Sequence, residues 1–397
     1  MNVFVIPSWY PYPAEPTSGV FTREQVLALA DLRPDWGVAV SLWGQGELTV
    51  PLRTPSRLAI FGRAALAPRR SRVRRIRANA LELTSPRVTW SPRILDGRAG
   101  AILAASRANL ATAEAELGPI SIIHAHVAYP AGWVAAKLSR ERGLPYVITE
   151  HMAPFPFPGL VSRSGALNPR LVEAYAGAAA RLAVSRSLAA EMERNGIANV
   201  EVVPNLVDES FFSPAPREHV DPFVFISLGR LEPRKGFDDL IDAAARIEGA
   251  FELRIGGKGP LEATLRDRVR ELRLGDRVSF LGELSRNGVL ANLRAADCFV
   301  LASRHESFGV VLAEALACGL PLIATRCGGP SEIVTPETGI LVDVGRPDQL
   351  AVAMGSMMRH EGQFDPEMLH GHFLERFSRT AVVAELDAVY TRALSPG

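Results

Sequence analysis

Phe223-Val-Phe-Ile-Ser-Leu-Gly229-Arg230-Leu-Glu-Pro-Arg-Lys235-Gly-Phe237-Asp-Asp-Leu-Ile-Asp-Ala-Ala-Ala-Arg246 is the stretch that decides the fold. Its first six residues are a short apolar run, closed by Gly229, and read as a buried strand. The segment from Phe237 is longer and amphipathic, and reads as a helix. Between them lies a turn rich in glycine and positive charge.

The same alternation spreads in both directions. Downstream, strands are expected at 251–256, 278–281, 298–301 and 322–325, and helices at 261–272 and 309–318. Upstream, strands are expected at 3–6, 38–42, 120–124, 146–149, 181–184 and 200–203. A helix over 19–32 takes Ser18 as its N-cap, and another follows Pro130. Short strands alternating with helices build βα units and parallel sheets, so the fold class is α/β. The segment 213–222 holds Pro214, Pro216 and Pro222 with mixed charges and reads as a linker. The expected domains are therefore 1–212 and 223–378, with a helix over 379–393 that no strand follows and that packs residues 379–397 back onto the first domain.

The 397 residues exceed one ordinary core and suit two. With 47% hydrophobic and 22% charged residues, the composition is that of a globular protein. A formal net charge of +1 gives no bias toward nucleic acid. Cys298, Cys318 and Cys327 lack metal-site spacing and read as free thiols of a reducing compartment. Residues 1–6 carry no basic start and Pro7 cuts the apolar run, which makes it a first strand rather than a signal peptide. No apolar run reaches about 18 residues. The expectation is a cytoplasmic protein, with peripheral attachment at the inner face of a membrane as its variant.

In the second half one set of motifs occurs in order: Gly229-Arg230-Leu231, Lys235-Gly236, Gly257-x-Gly259-Pro260, Glu306-Ser307-Phe308-Gly309, Glu314-Ala, Gly319-x-Pro321 and Gly328-Gly329-Pro330-x-Glu332. The first half adds Pro7-Ser-Trp-Tyr-Pro, Gly19-Val-Phe, Glu24-Gln25, His124-Ala-His126, Thr149-Glu-His151 and Val203-Pro-Asn205. Together these resemble the retaining glycosyltransferases of family 4, in particular the envelope-polysaccharide members. The resemblance covers roughly 1–30, 120–212 and 223–345, and is weak across 43–115. It implies the GT-B fold: two Rossmann-like parallel-sheet domains facing each other across a cleft.

A sugar-nucleotide donor leaves a diphosphate, and rate depends on stabilising the charge that develops there. Arg230 and Lys235 straddle a strand end and a helix start, where ligands bind in open α/β sheets. The resemblance implies that both touch the diphosphate. Lysine occurs only at 137, 235 and 258, which makes Lys235 conspicuous; Lys258 is given no role. Gly309 begins a helix between Glu306 and Glu314, so a phosphate there meets free N–H groups and the positive end of the helix dipole. The resemblance places Glu306 near the donor sugar, with Ser307 and Phe308 beside it, and Glu314 on the ribose hydroxyls. It reads Gly257 as part of a tight turn beside the base. Gly19 suits close approach of backbone to a ligand. His151 is placed near the reacting sugar, and His126 faces the cleft with less support. The His124-x-His126 pair has no further ligands to make a zinc site, and no metal or other cofactor is expected.

The implied activity moves a hexose from a UDP- or GDP-sugar to a glycan or lipid-linked acceptor, with retention and without a protein nucleophile. The alternatives are a disaccharide phosphorylase or a sugar-nucleotide epimerase on the same fold, or a non-catalytic sugar-nucleotide-binding protein. Between Leu48 and Leu81 there is no acidic residue but nine arginines, at 53, 57, 63, 69, 70, 72, 74, 75 and 77. With Leu58, Ile60, Phe61 and Leu66 nearby, 53–77 reads as a basic amphipathic segment for an anionic membrane surface.

Overall fold

A computed structural model describes residues 1–13, 15–43, 71–87, 97–162, 164–216, 221–359 and 362–395. These form two compact units, one of Met1–Val184, Ala189–Val203 and Val382–Gly397, the other of Ser185–Leu188 and Pro204–Ala381.

The first unit is built on an eight-stranded sheet. Its strands are β1 (Asn2–Pro7), β2 (Gly37–Leu42), β3 (Arg72–Arg77), β4 (Ala80–Thr84), β5 (Ile122–His126), β6 (Tyr146–Glu150), β7 (Ala180–Ala183) and β8 (Val200–Val202). They lie in the order β3-β4-β2-β1-β5-β6-β7-β8. All neighbours are parallel except β3 and β4. Strands β1 and β5 are buried along nearly their whole length, as strands covered on both faces must be. The helix Arg379–Leu394 contributes Val382, Leu386, Val389 and Tyr390 to this core. Its Asp387 pairs with Arg33 at 2.7 Å, and Tyr390 packs on Trp36.

The second unit holds β9 (Phe223–Leu228), β10 (Phe251–Gly256), β11 (Val278–Gly282), β12 (Cys298–Leu301), β13 (Leu322–Thr325) and β14 (Gly339–Val342). All are parallel, in the order β11-β10-β9-β12-β13-β14. Phe225, Leu240, Ile241, Leu253, Ile255 and Val300 are fully buried together. Truncating a phenylalanine such as Phe225 in a core of this kind costs about 3–5 kcal/mol. The helix Phe237–Ala244 lays Phe237, Leu240 and Ile241 on this sheet, which fixes the turn before it.

Four local expectations change. The helix Val20–Leu32 is capped by the backbone of Gly19, not by Ser18. Strand β5 starts at Ile122 instead of 120, which moves His124 into its middle. Residues 72–77 of the basic segment form the antiparallel edge strand β3, an element not among those expected. There Arg74 pairs with Glu82 at 2.6 Å, Arg75 with Glu116 at 3.2 Å and Arg77 with Asp31 at 2.6 Å. Arg53, Arg57, Arg63, Arg69 and Arg70 lie outside the described residues. Finally, β14 and the helices Gly97–Leu117, Pro169–Ala176, Arg186–Arg194, Arg286–Arg294, Pro347–Arg359 and Pro366–Phe377 add to the elements expected. No helix among the described residues is long and apolar enough to cross a membrane.

Candidate functional site

Strand order reverses beside β9, whose neighbours are β10 and β12. Chains leaving such a pair diverge at their carboxyl ends and open a crevice. The loop after β9 carries Arg230 and the 3-10 turn Pro233–Lys235; the loop after β12 carries Ser303 and Glu306 through Gly309. The ammonium of Lys235 bonds Oε1 of Glu306, and Ser303 Oγ donates to the same oxygen at 2.9 Å. The Lys235 and Glu306 side chains are only 14% and 9% exposed.

Backbone packing brings the two loops together. Gly236, at φ +63°, lies so close to the segment after β12 that a Cβ would sit 2.0 Å from the carbonyl oxygen of Ala302. Only glycine lets the Lys235 turn rest there. Arg304 fastens the other side. Its N–H donates to the carbonyl of Arg234 at 2.7 Å, and its guanidinium reaches Asp238 and Asp239 at 2.8 Å each. The Glu306 loop is in turn stitched to the loop after β13: Glu306 N–H donates to Cys327 O, and Gly329 N–H to Glu306 O, both at 3.0 Å. Phe308 is buried against Phe377, at 5.6 Å between ring centres. Ser307 lies between Glu306 and Phe308 in this clamped loop. Gly309, at φ +94°, caps the helix Val310–Ala317, whose first-turn N–H groups meet no capping side chain. Glu314 stands on that helix, partly exposed. Gly257 packs directly on the backbone of Gly229, where a Cβ would lie 1.9 Å from the carbonyl oxygen.

Arg230 stands apart from this group. Its guanidinium bonds Glu232, and its side chain is 69% exposed. The two cations five residues apart therefore hold different carboxylates: Lys235 the buried Glu306, Arg230 the half-covered Glu232.

The first unit has the same reversal at β1, between β2 and β5. Gly19 follows β1, His126 ends β5 and His151 follows β6. Gly19 has φ +63°, and a Cβ there would fall 2.3 Å from the carbonyl oxygen of Trp9, so its packing alone demands glycine. His124 is wholly buried: Nδ1 lies 2.6 Å from the Tyr390 hydroxyl and Nε2 lies 2.8 Å from Thr149 Oγ1. Burial pushes its pKa down to about 3. His126 stacks on His124 at 4.4 Å, and its Nδ1 is 2.9 Å from His151 Nε2. Burial, then the neighbouring His124 and His151, hold the pKa of His126 well below its ordinary value. It is therefore a neutral ring near pH 7. Phe21 stacks on His151 at 4.2 Å. Among the described residues no three His, Cys, Asp or Glu side chains gather as a metal site.

Two neighbours of these histidines carried no role in the sequence. Glu150 is 1% exposed and accepts four hydrogen bonds: Oε1 from His151 N–H and Met152 N–H at 2.9 Å each, Oε2 from Ala128 N–H at 3.1 Å and from the Tyr175 hydroxyl at 2.9 Å. Burial raises its pKa, and these four donors oppose the rise. Val127 has φ +73° and ψ 131°, a conformation that costs a β-branched residue about 1–3 kcal/mol. Thr149-Glu-His151 was legible as a motif, but nothing in the spacing shows that the middle residue turns inward.

With this geometry in place, the chain can be set beside known proteins. The model of the Glycosyl transferases group 1 matches residues 208–369, and that of Glycosyltransferase Family 4 matches 61–211. The D-inositol 3-phosphate glycosyltransferase of Mycobacteroides abscessus is 32% identical over 286 residues, which is 66% of this chain and 64% of that protein. A sucrose-phosphate synthase from Thermosynechococcus elongatus superposes with a TM-score of 0.73 at 22% identity, over 99% of both chains. HepE from Anabaena, in complex with UDP-glucose, superposes with a TM-score of 0.69 at 18% identity, over 98% of this chain and 99% of its own. These matches set the two halves of this chain beside the group 1 and family 4 glycosyltransferases. Its two parallel-sheet units are those of the GT-B fold, and its first half carries the family 4 signature. Matched segments span between about half and two thirds of the length of the curated relatives.

Proposed function

We propose that this protein transfers a hexose from a nucleoside-diphosphate sugar to a glycan or lipid-linked acceptor with retention of configuration, in cell-envelope or exopolysaccharide synthesis. The observation that carries the proposal is the shielded Lys235–Glu306 pair beside the start of the helix Val310–Ala317, where no side chain caps the first turn. As the anomeric C–O bond to the diphosphate breaks, negative charge grows on the leaving oxygen. The ammonium of Lys235 and the first-turn N–H groups of that helix stabilise it. Arg230 joins by leaving Glu232; an exposed ion pair is worth only about 0–1 kcal/mol, so the cost of release is small. Glu306 accepts hydrogen bonds from the donor sugar and Glu314 from the ribose hydroxyls. Ser307, Phe308 and Gly257 shape the nucleotide pocket.

On the acceptor side, His151 and His126 present ring nitrogens to the sugar, and the Gly19 turn lies close to the ligand. The acceptor oxygen forms the new bond on the face the diphosphate leaves, and its proton passes to a phosphate oxygen of the leaving group. No protein nucleophile is required, and Lys235 supplies the charge that a metal would. A UDP- or GDP-sugar is the proposed donor; the relative HepE was solved with UDP-glucose. An anionic membrane surface remains the proposed partner of 53–77. The ion pairs on β3 reduce the charge offered there, so this reading rests on 53–70.

A panel of UDP-, GDP- and TDP-sugars, assayed for nucleotide release and for the configuration of the product, tests the proposal. Inverted product removes retention. Sugar phosphate formed from inorganic phosphate makes the protein a phosphorylase, and binding without turnover makes it a sugar-nucleotide receptor.

A further inference from the structure

We infer that Glu150 is the positioning residue of the histidine pair, and that it acts by holding the two histidine loops in one register. This rests on the reading of His126 and His151 as acceptor-side residues. A carboxylate offers about four acceptor sites, and here all four are used. Three of the donors are backbone N–H groups, and they come from two loops. His151 and Met152 leave β6; Ala128 lies two residues beyond His126, at the end of β5. One buried side chain therefore fixes the main chain at His151 and just past His126. The fourth donor, Tyr175, ties the same carboxylate to the helix Pro169–Ala176.

The strained Val127 is an independent sign of the same device. Its positive φ turns the following peptide so that Ala128 N–H points at Oε2 of Glu150, while its own N–H donates to Thr149 O at 2.8 Å. A β-branched residue keeps such a conformation only where its surroundings over-determine it. The buried carboxyl group is what does so, and the 2.9 Å contact between His126 Nδ1 and His151 Nε2 follows from it. Glutamine at this position keeps an oxygen for one loop but turns an NH2 toward the N–H of the other, so the two loops are no longer held together.

The test is Glu150→Gln, read two ways. With UDP-glucose or GDP-mannose, whichever the wild type turns over, kcat should fall on the order of ten- to a hundredfold with donor KM nearly unchanged. In protein labelled with 15N-histidine, the ring signals of His126 and His151 should shift. Adding Val127→Gly removes the backbone strain that Glu150 opposes, and should recover part of the lost kcat. Unmoved histidine signals with kcat close to wild type overturn the inference. So does a rise in donor KM that accounts for the whole loss. If the wild type turns over no sugar nucleotide, the proposed function fails, while the histidine signals still decide the role of Glu150.

Discussion

Lys235 and Glu306 meet across 71 residues of sequence, the ammonium of one on Oε1 of the other, in a crevice that leaves both side chains mostly covered. Removing one partner of a shielded pair exposes two separate effects, because the remaining charge loses its counterion. Lys235→Ala should lower kcat about a hundred- to a thousandfold through lost charge stabilisation. It should also lower the melting temperature, since among the described residues Glu306 then keeps only the Ser303 hydroxyl as a side-chain donor. Adding Glu306→Gln should restore the melting temperature and leave turnover low. Near-normal turnover in Lys235→Ala removes that residue from the mechanism.

Gly236→Ala tests how Lys235 is delivered. The added methyl would meet the Ala302 carbonyl at 2.0 Å in a left-handed backbone conformation. A loss of about 1–3 kcal/mol in unfolding free energy is expected, together with a drop in kcat. Alanine scanning of the exposed Arg234 gives the reference for a change in the same turn without the clash.

Thermal unfolding with added UDP and GDP asks which nucleotide the crevice prefers. A ligand that binds only the folded state at about a hundred times its Kd adds roughly 2.7 kcal/mol of stability. The preferred nucleotide should raise the melting temperature of the wild type, and much less that of Lys235→Ala. Equal shifts in both proteins would mean that the diphosphate is bound elsewhere.

The buried His124 predicts an acid weakness with a definite sign. Its folded-state pKa is depressed from 6.5 to about 3, so between these values the unfolded chain takes a proton there that the folded chain refuses. Stability is full above pH 6.5 and falls below it by about 1.4 kcal/mol per pH unit for this group, until pH nears 3. His126, shifted in the same direction, adds to the slope. Urea titrations at pH 7.5, 6 and 5 should show the loss, and His124→Gln should make it shallower by about one proton. An unchanged slope in that variant is the contrary result.

The parallel strands were readable because each is a short apolar run: β10 at Phe251–Gly256 and β12 at Cys298–Leu301 begin and end where composition changes. Strand β3 was not, because Arg72-Val-Arg-Arg-Ile-Arg77 is an exposed edge held by ion pairs from Glu82, Glu116 and Asp31, and the last two lie 41 and 46 residues from their partners. In the crevice, Lys235, Glu306 and Gly309 stood out by residue type and spacing. Their supports did not: Ser303 and Arg304 look like ordinary loop residues until the Lys235 turn folds against them. The two-residue shift of β5 had the largest consequence, because it draws His124 from the end of the strand into its middle and leaves His126 as the strand's last residue.

The hydrogen bond between Tyr390 and His124 joins positions 266 residues apart, with the entire second sheet encoded between them. During synthesis, the first sheet therefore emerges long before the helix that closes it. Until Tyr390 arrives, His124 Nδ1 has only the longer 3.3 Å contact with Gln25, so the half translated first is the half completed last.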